Sequence, residues 1–181
     1  MNVVHLEAGR HLYGGARQAG YLIRALAARG HRNLLVCNRD AAIALQLQGL
    51  PGVDIVEWPL RGDADPWLTR RLARLLRRER PDLLHVHSRR GADTWGGRAA
   101  RAAGVPAVLT RRVESAEPAA WLRFKLRPYA AVVAISHAVR DQLVARADMP
   151  RGAIEIVPSA VDTGVFRPDP EARARLNARV D

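Results

Sequence analysis

The sequence predicts a doubly wound α/β domain, Rossmann-like, on a mostly parallel sheet of about seven strands. Two observations lead there. Short runs rich in Val, Ile and Leu recur at residues 3–6, 34–37, 53–56, 83–86, 107–109, 132–135 and 154–157, and near-continuous apolar runs are what strands covered on both faces require. The segments between them carry helical spacing, so strand and helix alternate as in βαβ units. At 181 residues, 48% of them hydrophobic, the chain suits one domain with a sizeable core.

The first strand runs into Ala8-Gly9-Arg10-His11-Leu12-Tyr13-Gly14-Gly15 and then a helix. Adjacent glycines let backbone approach a ligand closely, and the free N–H groups of a helix start favour a phosphate. The loop is neither Gly-x-Gly-x-x-Gly nor a Walker A loop, because no Gly-Lys-Ser/Thr follows; alone, it also reads as a tight turn. In the helix, Ala19, Leu22, Ile23 and Leu26 form one stripe, Arg17, Arg24 and Arg29 lie off it, and Gly30-His31 stops it. The second strand holds Cys37, the only cysteine. It cannot form an intrachain disulfide, and its apolar neighbours suit a buried core thiol in a reducing compartment better than a catalytic one. Pro51-Gly52 introduces the third strand. In the helix after it Leu68, Leu72, Leu75 and Leu76 form the stripe, Pro66 suits the first turn, and Arg70, Arg71, Arg74, Arg77 and Arg78 read as a solvated face.

Pro81-Asp82 introduces the fourth strand, where His85 and His87 alternate and so share a face, with His87 at the C-terminal edge where ligands of open sheets gather. A zinc site needs three or four ligands in defined geometry. His5, His11, His31 and His137 show no ligand spacing, so no metal is expected; His85 reads as a hydrogen-bonded core residue and His87, with Ser88, as a substrate contact. Gly104-Val105-Pro106 precedes the fifth strand, which ends in Thr110-Arg111-Arg112-Val113-Glu114. Two guanidiniums there either suit phosphate or carboxylate through forked hydrogen bonds or lie solvated at the strand end.

In the segment from Trp121 to Tyr129, bases interleave with large apolar residues. It reads as an amphipathic helix with Trp121, Phe124 and Pro128 facing the core, or as a basic aromatic helix meeting an anionic membrane or the acceptor through Trp121, Arg123, Lys125 and Arg127. After the sixth strand Ser136 reads as a helix N-cap, a contribution of about 1 kcal/mol. Past the seventh strand a Pro-bounded linker leads to a charged, alanine-rich stretch over 169–179 that reads as helical or frayed.

The net charge of +11 comes almost wholly from arginine, Lys125 being the only lysine. It attracts polyanions such as nucleic acid, anionic lipid or phosphorylated sugars, although an Arg- and Ala-rich composition is also what a G+C-rich coding sequence yields. The N-terminus has no basic n-region followed by an apolar h-region, and no window nears 18 uninterrupted apolar residues. The expectation is a cytoplasmic protein without a membrane span. With no Gly-x-Ser-x-Gly elbow, a serine-hydrolase reading fails.

Four motifs, in order, give a more specific reading: Gly14-Gly15-Ala16-Arg17-Gln18, Pro81-Asp82-Leu83-Leu84-His85-Val86-His87-Ser88, Ala134-Ile135-Ser136, and Val157-Pro158-Ser159-Ala160-Val161-Asp162 followed by Phe166-Arg167-Pro168. Over residues 1 to 168 the chain resembles the N-terminal domain of retaining GT-B glycosyltransferases of the family four type. The family usually has Pro-Asn-Gly-Val-Asp where this chain has Pro158-Ser159-Ala160-Val161-Asp162. It commonly has Thr-x-His at the fifth strand, where this chain has Arg112, as in a Thr-Arg-Arg-Val variant of lipopolysaccharide or cell-wall sugar transferases.

The resemblance implies an N-terminal, acceptor-side domain over 1–166 and, over 167–181, a linker with the start of a C-terminal domain. It implies a nucleoside-diphosphate sugar as co-substrate, a bacterial surface glycan or lipid-linked acceptor, a C-terminal domain as partner, no obligatory metal and no specific nucleic acid. Gly14, Gly15 and Ser136 would face the donor's phosphate and sugar. His87, Ser88, Arg111, Arg112 and Glu114 would line the sugar or acceptor pocket. Peripheral contact with the inner face of the plasma membrane is a further expectation. The paired glutamates eight positions apart that hold the donor in such enzymes are missing here, as expected of half an enzyme, and the isolated chain should not turn over substrate. Two rivals remain: a non-catalytic basic module binding nucleic acid or anionic membrane, and half of a sugar-nucleotide epimerase, for which Glu7 and Glu114 are the candidate carboxylates.

Overall fold

A computed structural model describes residues 1–89, 91–114 and 116–177. Seven strands form one all-parallel sheet: β1 Asn2–Glu7, β2 Arg32–Asn38, β3 Val53–Trp58, β4 Leu83–Val86, β5 Ala107–Arg111, β6 Ala131–Ala134 and β7 Ile154–Ile156. The helices are α1 Gly14–Ala28, α2 Ala42–Leu47, α3 Trp67–Glu79, α4 Ala92–Ala103, α5 Ala119–Leu126, α6 His137–Ala147 and α7 Ala172–Asn177. Of the stretch expected to be helical or frayed, residues 178 and 179 lie outside the described residues.

The strand order is β3-β2-β1-β4-β5-β6-β7. The chain builds outward from β1 to β3, crosses back, and builds outward again from β4. Right-handed crossovers then place α1 and α2 on one face and α3 to α6 on the other. Two apolar clusters follow that division. Val4, Leu6, Val36, Leu84 and Val86 pack with α3, α4, α5 and α6, whereas Leu35 and Cys37 pack with Ala19 and Ile23 of α1 and Ile43 and Leu47 of α2. The alternation of each strand decides which residue goes where.

The α1 face is only half covered. Along one register row of this face lie Leu35, His5, His85, Val108 and Ala131, and along the next Cys37 and Glu7. Leu35 and Cys37 beneath the helices are sealed, but His85, Val108 and Val133 remain half-buried. This is why the middle strands carry polar residues on this face.

Local signals in the sequence account for the element ends. Gly30 takes φ +80, with its N–H on Ala27 O, and stops α1 as expected. Pro66 stands at the N-cap of α3, one residue before the first turn. Ser136 caps α6, its hydroxyl accepting the Val139 N–H at 3.3 Å. Gly96 and Gly97 let α4 press onto the sheet and onto Tyr129: a Cβ on Gly97 would lie 2.8 Å from the Tyr129 ring. Trp121 and Phe124 depart from the core-facing expectation. They lie exposed and stacked at 5.0 Å, while Leu122, Lys125 and Leu126 turn inward. In α5 the inward stripe is set by Leu122 and Leu126, four apart, which leaves the aromatics on the other side. The linker returns to α1, where the Gln18 side chain exchanges two hydrogen bonds with the backbone of Ala160, at 2.6 and 2.8 Å.

Candidate functional site

At the point where the strand order reverses, between β1 and β4, the C-terminal strand ends and the loops after them enclose a cleft of about 460 Å³. Open α/β sheets bind ligands in such crevices. Glu7 and Arg10 come from β1 and its loop, Tyr13 and Ala16 from the start of α1, His87, Ser88 and Arg89 from the end of β4, and Thr110 and Arg112 from β5 and just beyond.

Among the described residues no side chain caps α1. Its start, with Tyr13 and Ala16 on the cleft, keeps N–H groups of the first turn for a ligand. Gly14 has open space around it, and a Cβ on Gly15 would meet Arg112 Cδ at 3.4 Å, so Gly15 lies beside Arg112, although neither glycine is among the residues lining the cleft.

Charge on the cleft is lopsided: Arg10, Arg89 and Arg112 line it against one carboxylate, Glu7, and of the three Arg89 turns its guanidinium toward Glu117, 4.0 Å from its Oε1. Burial pushes the Glu7 carboxyl above its ordinary value, opposed by the Gly9 N–H, the Arg112 charge and the Ser88 hydroxyl. Burial likewise lowers Arg112, and Glu7 works against that. Glu7 Oε1 accepts the Gly9 N–H at 2.8 Å, and Ser88 Oγ accepts the Ala8 N–H at 2.7 Å, so the loop after β1 is pinned to both strands.

Beneath the cleft lie three imidazoles, His5, His85 and His87, whose ring nitrogens come within 4.8 Å of one another. They are tied into hydrogen bonds. His5 Nε2 meets Asn33 Oδ1 at 3.1 Å, His5 Nδ1 meets His87 Nε2 at 3.0 Å, and His85 Nε2 meets Thr110 Oγ1 at 2.7 Å. Burial holds His5 down to about 4 and His85 down to about 3, and it lowers His87 well below the usual range, with the neighbouring imidazoles adding to the effect on His85 and His87. Neutral imidazoles are the form a divalent ion would take as ligands, but coordination here would break these hydrogen bonds. His85 is hydrogen-bonded as the sequence suggested but half-buried and not in the core; His87 is both buried and on the cleft. The pairing with His5 crosses strands and leaves no trace in linear spacing.

Arg111 is the main departure among the site residues. Consecutive strand residues face opposite sides, so Thr110 and Arg112 turn to the cleft and Arg111 turns away. It is 1% exposed and meets Asp93 Oδ2 of α4 at 3.4 Å and Glu117 Oε2 at 2.9 Å. Lys125, expected at a membrane or acceptor surface, belongs to the same buried cluster, its Nζ 2.6 Å from both Asp93 Oδ2 and Glu117 Oε1. Glu114 is exposed and lines no part of the cleft, which leaves the epimerase reading one carboxylate, Glu7, instead of two. Ser136 caps α6 outside the cleft lining; Trp121, Arg123 and Arg127 are exposed on α5. Sequence reasoning missed Asp93, Glu117, Arg10 and Arg89. The alternation of β5 was the available signal that Arg111 needs acidic partners on its own side.

Comparison with known proteins agrees with this geometry. A sequence model of Glycosyltransferase Family 4 matches residues 13–165. No curated protein matches the sequence. Among solved structures, HepE of Anabaena in complex with UDP superposes with a TM-score of 0.76 at 16% identity, covering 99% of this chain and 50% of that one. The lipopolysaccharide outer core galactosyltransferase WaaB gives 0.66 at 13% identity, covering 95% and 50%. The UDP-GlcNAc 2-epimerase of Neisseria meningitidis, bound to UDP-GlcNAc, gives 0.68 at 12% identity, covering 88% and 47%. The chain spans about half the length of these structures, and at such identities they establish its fold, one half of the two-domain GT-B architecture.

Proposed function

The chain belongs to glycosyltransferase family 4, and on that premise we propose that it forms the acceptor-side half of a retaining GT-B enzyme that moves a sugar from a nucleoside-diphosphate sugar to a bacterial surface glycan or lipid-linked acceptor. The observation that carries this reading is the cleft at the strand-order reversal, lined by an uncapped helix start, Arg10, Arg112 and a single carboxylate, Glu7. Relatives of the same fold hold UDP and UDP-GlcNAc.

In this reading the N–H groups at Gly14 and Gly15 meet the donor's diphosphate, and Arg112, His87 and Ser88 contact the transferring sugar or the acceptor hydroxyl. Ser136 marks a second helix start at the same edge of the sheet. Residues 1–166 are the acceptor-side unit, and 167–181 lead into a second domain that supplies the remaining donor ligands, so the isolated chain does not turn over substrate. Fixed positive groups aimed at the departing diphosphate act where charge develops. No metal is obligatory in this reading, the N–H groups at the start of α1 providing that charge.

The polypeptide encoded by the whole reading frame, incubated with a panel of nucleoside-diphosphate sugars and lipid-linked or oligosaccharide acceptors, is expected to yield a product one sugar heavier. NMR should show the donor's anomeric configuration kept. Failure with every donor, together with duplex-DNA affinity falling by about 0.9 log units per log unit of salt for each phosphate neutralised, would establish the non-catalytic basic module instead.

Location follows from the same reading: cytoplasmic, peripheral at the inner face of the plasma membrane. The exposed Trp121 and Phe124, with the Arg98 guanidinium 3.5 Å from the Phe124 ring centre and Arg123 and Arg127 exposed on the same segment, give an aromatic and cationic surface suited to anionic headgroups. No helix among the described residues is long and apolar enough to cross a membrane. Co-sedimentation with phosphatidylglycerol vesicles should drop at least fivefold in the Trp121→Ala, Phe124→Ala double variant. Equal sedimentation of the double variant, or equal binding to phosphatidylcholine, refutes the membrane contact.

A further inference from the structure

Hydrogen bonds fix the tautomers along a line that ends in the cleft. Asn33 Nδ2 donates to His31 O at 2.8 Å, so its Oδ1 is the atom that meets His5 Nε2. His5 Nε2 therefore carries the proton, and its Nδ1 is a lone pair in the neutral ring. The 3.0 Å contact between His5 Nδ1 and His87 Nε2 then requires the proton on His87 Nε2. His87 Nδ1 is left as a bare acceptor, buried and without a partner, on a residue 3% exposed that lines the cleft.

Two more atoms at the cleft are unpartnered. Glu7 is also 3% exposed, and its Oε2 is buried without a hydrogen bond; Arg112 Nε is a buried donor without an acceptor. Arg112 enters none of the ion pairs found among the described residues. Buried polar atoms are rarely left unpaired, and three around one cleft mark where a ligand's own groups belong. The bare acceptors call for hydroxyl donors; the guanidinium calls for an anion, with Arg10 adding to the positive field.

We propose that the floor of this cleft is a subsite for an acidic acceptor sugar, a polyhydroxylated ring bearing a phosphate or carboxylate, with a ring hydroxyl donated to His87 Nδ1 and the anionic group held on Arg112. Asn33 and His5 are positioning residues: they act through His87 by fixing which nitrogen faces the ligand. The proposal rests on the cleft being the acceptor side of a glycosyltransferase and narrows the acceptor to acidic sugars.

The test is calorimetric titration of the 181-residue chain, at low salt, with glucose 6-phosphate, glucuronate, glucose and inorganic phosphate. One or both acidic sugars should bind at least tenfold tighter than glucose or phosphate, which also tells phosphate from carboxylate, and saturating UDP should leave that affinity within twofold. His87→Phe should weaken acidic-sugar binding at least tenfold while leaving phosphate binding within twofold, whereas Arg112→Gln should weaken both. Nitrogen-15 spectra of the histidine rings in the unmodified chain give a readout that needs no variant: His87 should be the Nε2–H tautomer, and its Nδ1 resonance should move on adding the sugar.

Acidic sugars binding no tighter than phosphate, displacement by UDP, or a protonated His87 Nδ1 would each overturn the proposal. Efficient transfer by the complete polypeptide to a neutral acceptor alone would sink this subsite and leave the transferase reading standing. Intact acidic-sugar binding without any transfer would do the reverse.

Discussion

Replacing Asp93 by asparagine removes one charge and almost no volume, so it isolates the electrostatics of the buried cluster. Asp93 is fully buried, and its Oδ2 lies 2.6 Å from Lys125 Nζ and 3.4 Å from Arg111 Nη1, both nearly sealed from water. In the variant Lys125 keeps Glu117 as its ion partner, and the interior gains one unit of net positive charge with no water to screen it. Breaking a buried pair by neutralising one partner costs about 3–5 kcal/mol. Glu117 is 18% exposed, so water compensates part of its loss, and Glu117→Gln should cost less. Urea unfolding followed by circular dichroism reads both. With a slope of about 2–3 kcal/mol per molar, Asp93→Asn should lower the midpoint by about 1–2.5 M. A loss under about 1 kcal/mol for Asp93→Asn, or a larger loss for Glu117→Gln, would show that the cluster is solvated in a way its burial denies.

The buried histidines give a pH dependence whose sign is fixed. Their folded-state values, about 4 for His5 and about 3 for His85, lie below the unfolded value of 6.5, so the unfolded chain binds more protons over that interval. The stability they allow is complete above the unfolded value and falls as pH drops through the window; Glu7, shifted upward, works in the opposite sense as pH rises. Denaturation midpoints between pH 7 and 4 should decline, and His5→Phe should flatten the decline if it folds; an unchanged slope counts against a neutral buried His5. Gly97→Ala should cost about 1–3 kcal/mol, because its Cβ would press on the Tyr129 ring at 2.8 Å, while Gly14→Ala, with open space around it, should leave the thermal midpoint near the parent's. Equal melting of the two variants would contradict the close packing of α4. Cys37 is buried, its thiol pushed up to about 12 by burial first and by Glu57 and Glu7 after it, so alkylation by iodoacetamide should be undetectable in the native chain and rapid in urea. Modification at the same rate in both states would refute that placement.

Most of the fold was legible because apolar runs of three or four residues and their Gly and Pro boundaries are local signals. The sheet edge where ligands of open sheets gather was predictable from the strand pattern, and His87 and Ser88, placed there from the sequence, line the cleft, whereas Gly14 and Gly15 are not among its lining residues. Three things were not legible for one common reason: they depend on which residues meet across strands and helices. The pairing of His5 with His87 joins β1 to β4. The acidic partners of Lys125 lie on α4 and on the loop before α5. The outward turn of Trp121 and Phe124 followed from the demand of Leu122 and Leu126 for the core, and interleaved charge and apolarity in α5 fitted either orientation. Arg111 differs from these, since strand alternation alone separates it from Arg112.

That separation also bears on how the overall charge should be understood. Adjacent arginines at one strand end meet opposite fates: Arg111 is neutralised by Asp93 and Glu117, and Arg112 faces the cleft with a nearby carboxylate but no contact-distance ion pair. Only the second kind can meet an anionic ligand, so the functional charge is set by the partners each arginine lacks and not by the +11 total. The single lysine fits the same logic. Its site presents two carboxylate oxygens at 2.6 Å to one nitrogen, and a compact ammonium with three donors satisfies both from a point, where a planar guanidinium would have to spread. A compositional bias toward arginine would not account for why the one lysine is buried between two acids. The cluster ties α4, β5, α5 and the loop after β5 together directly behind the strand end that presents Arg112, so the rigidity of the neutral side is what holds the charged side in place.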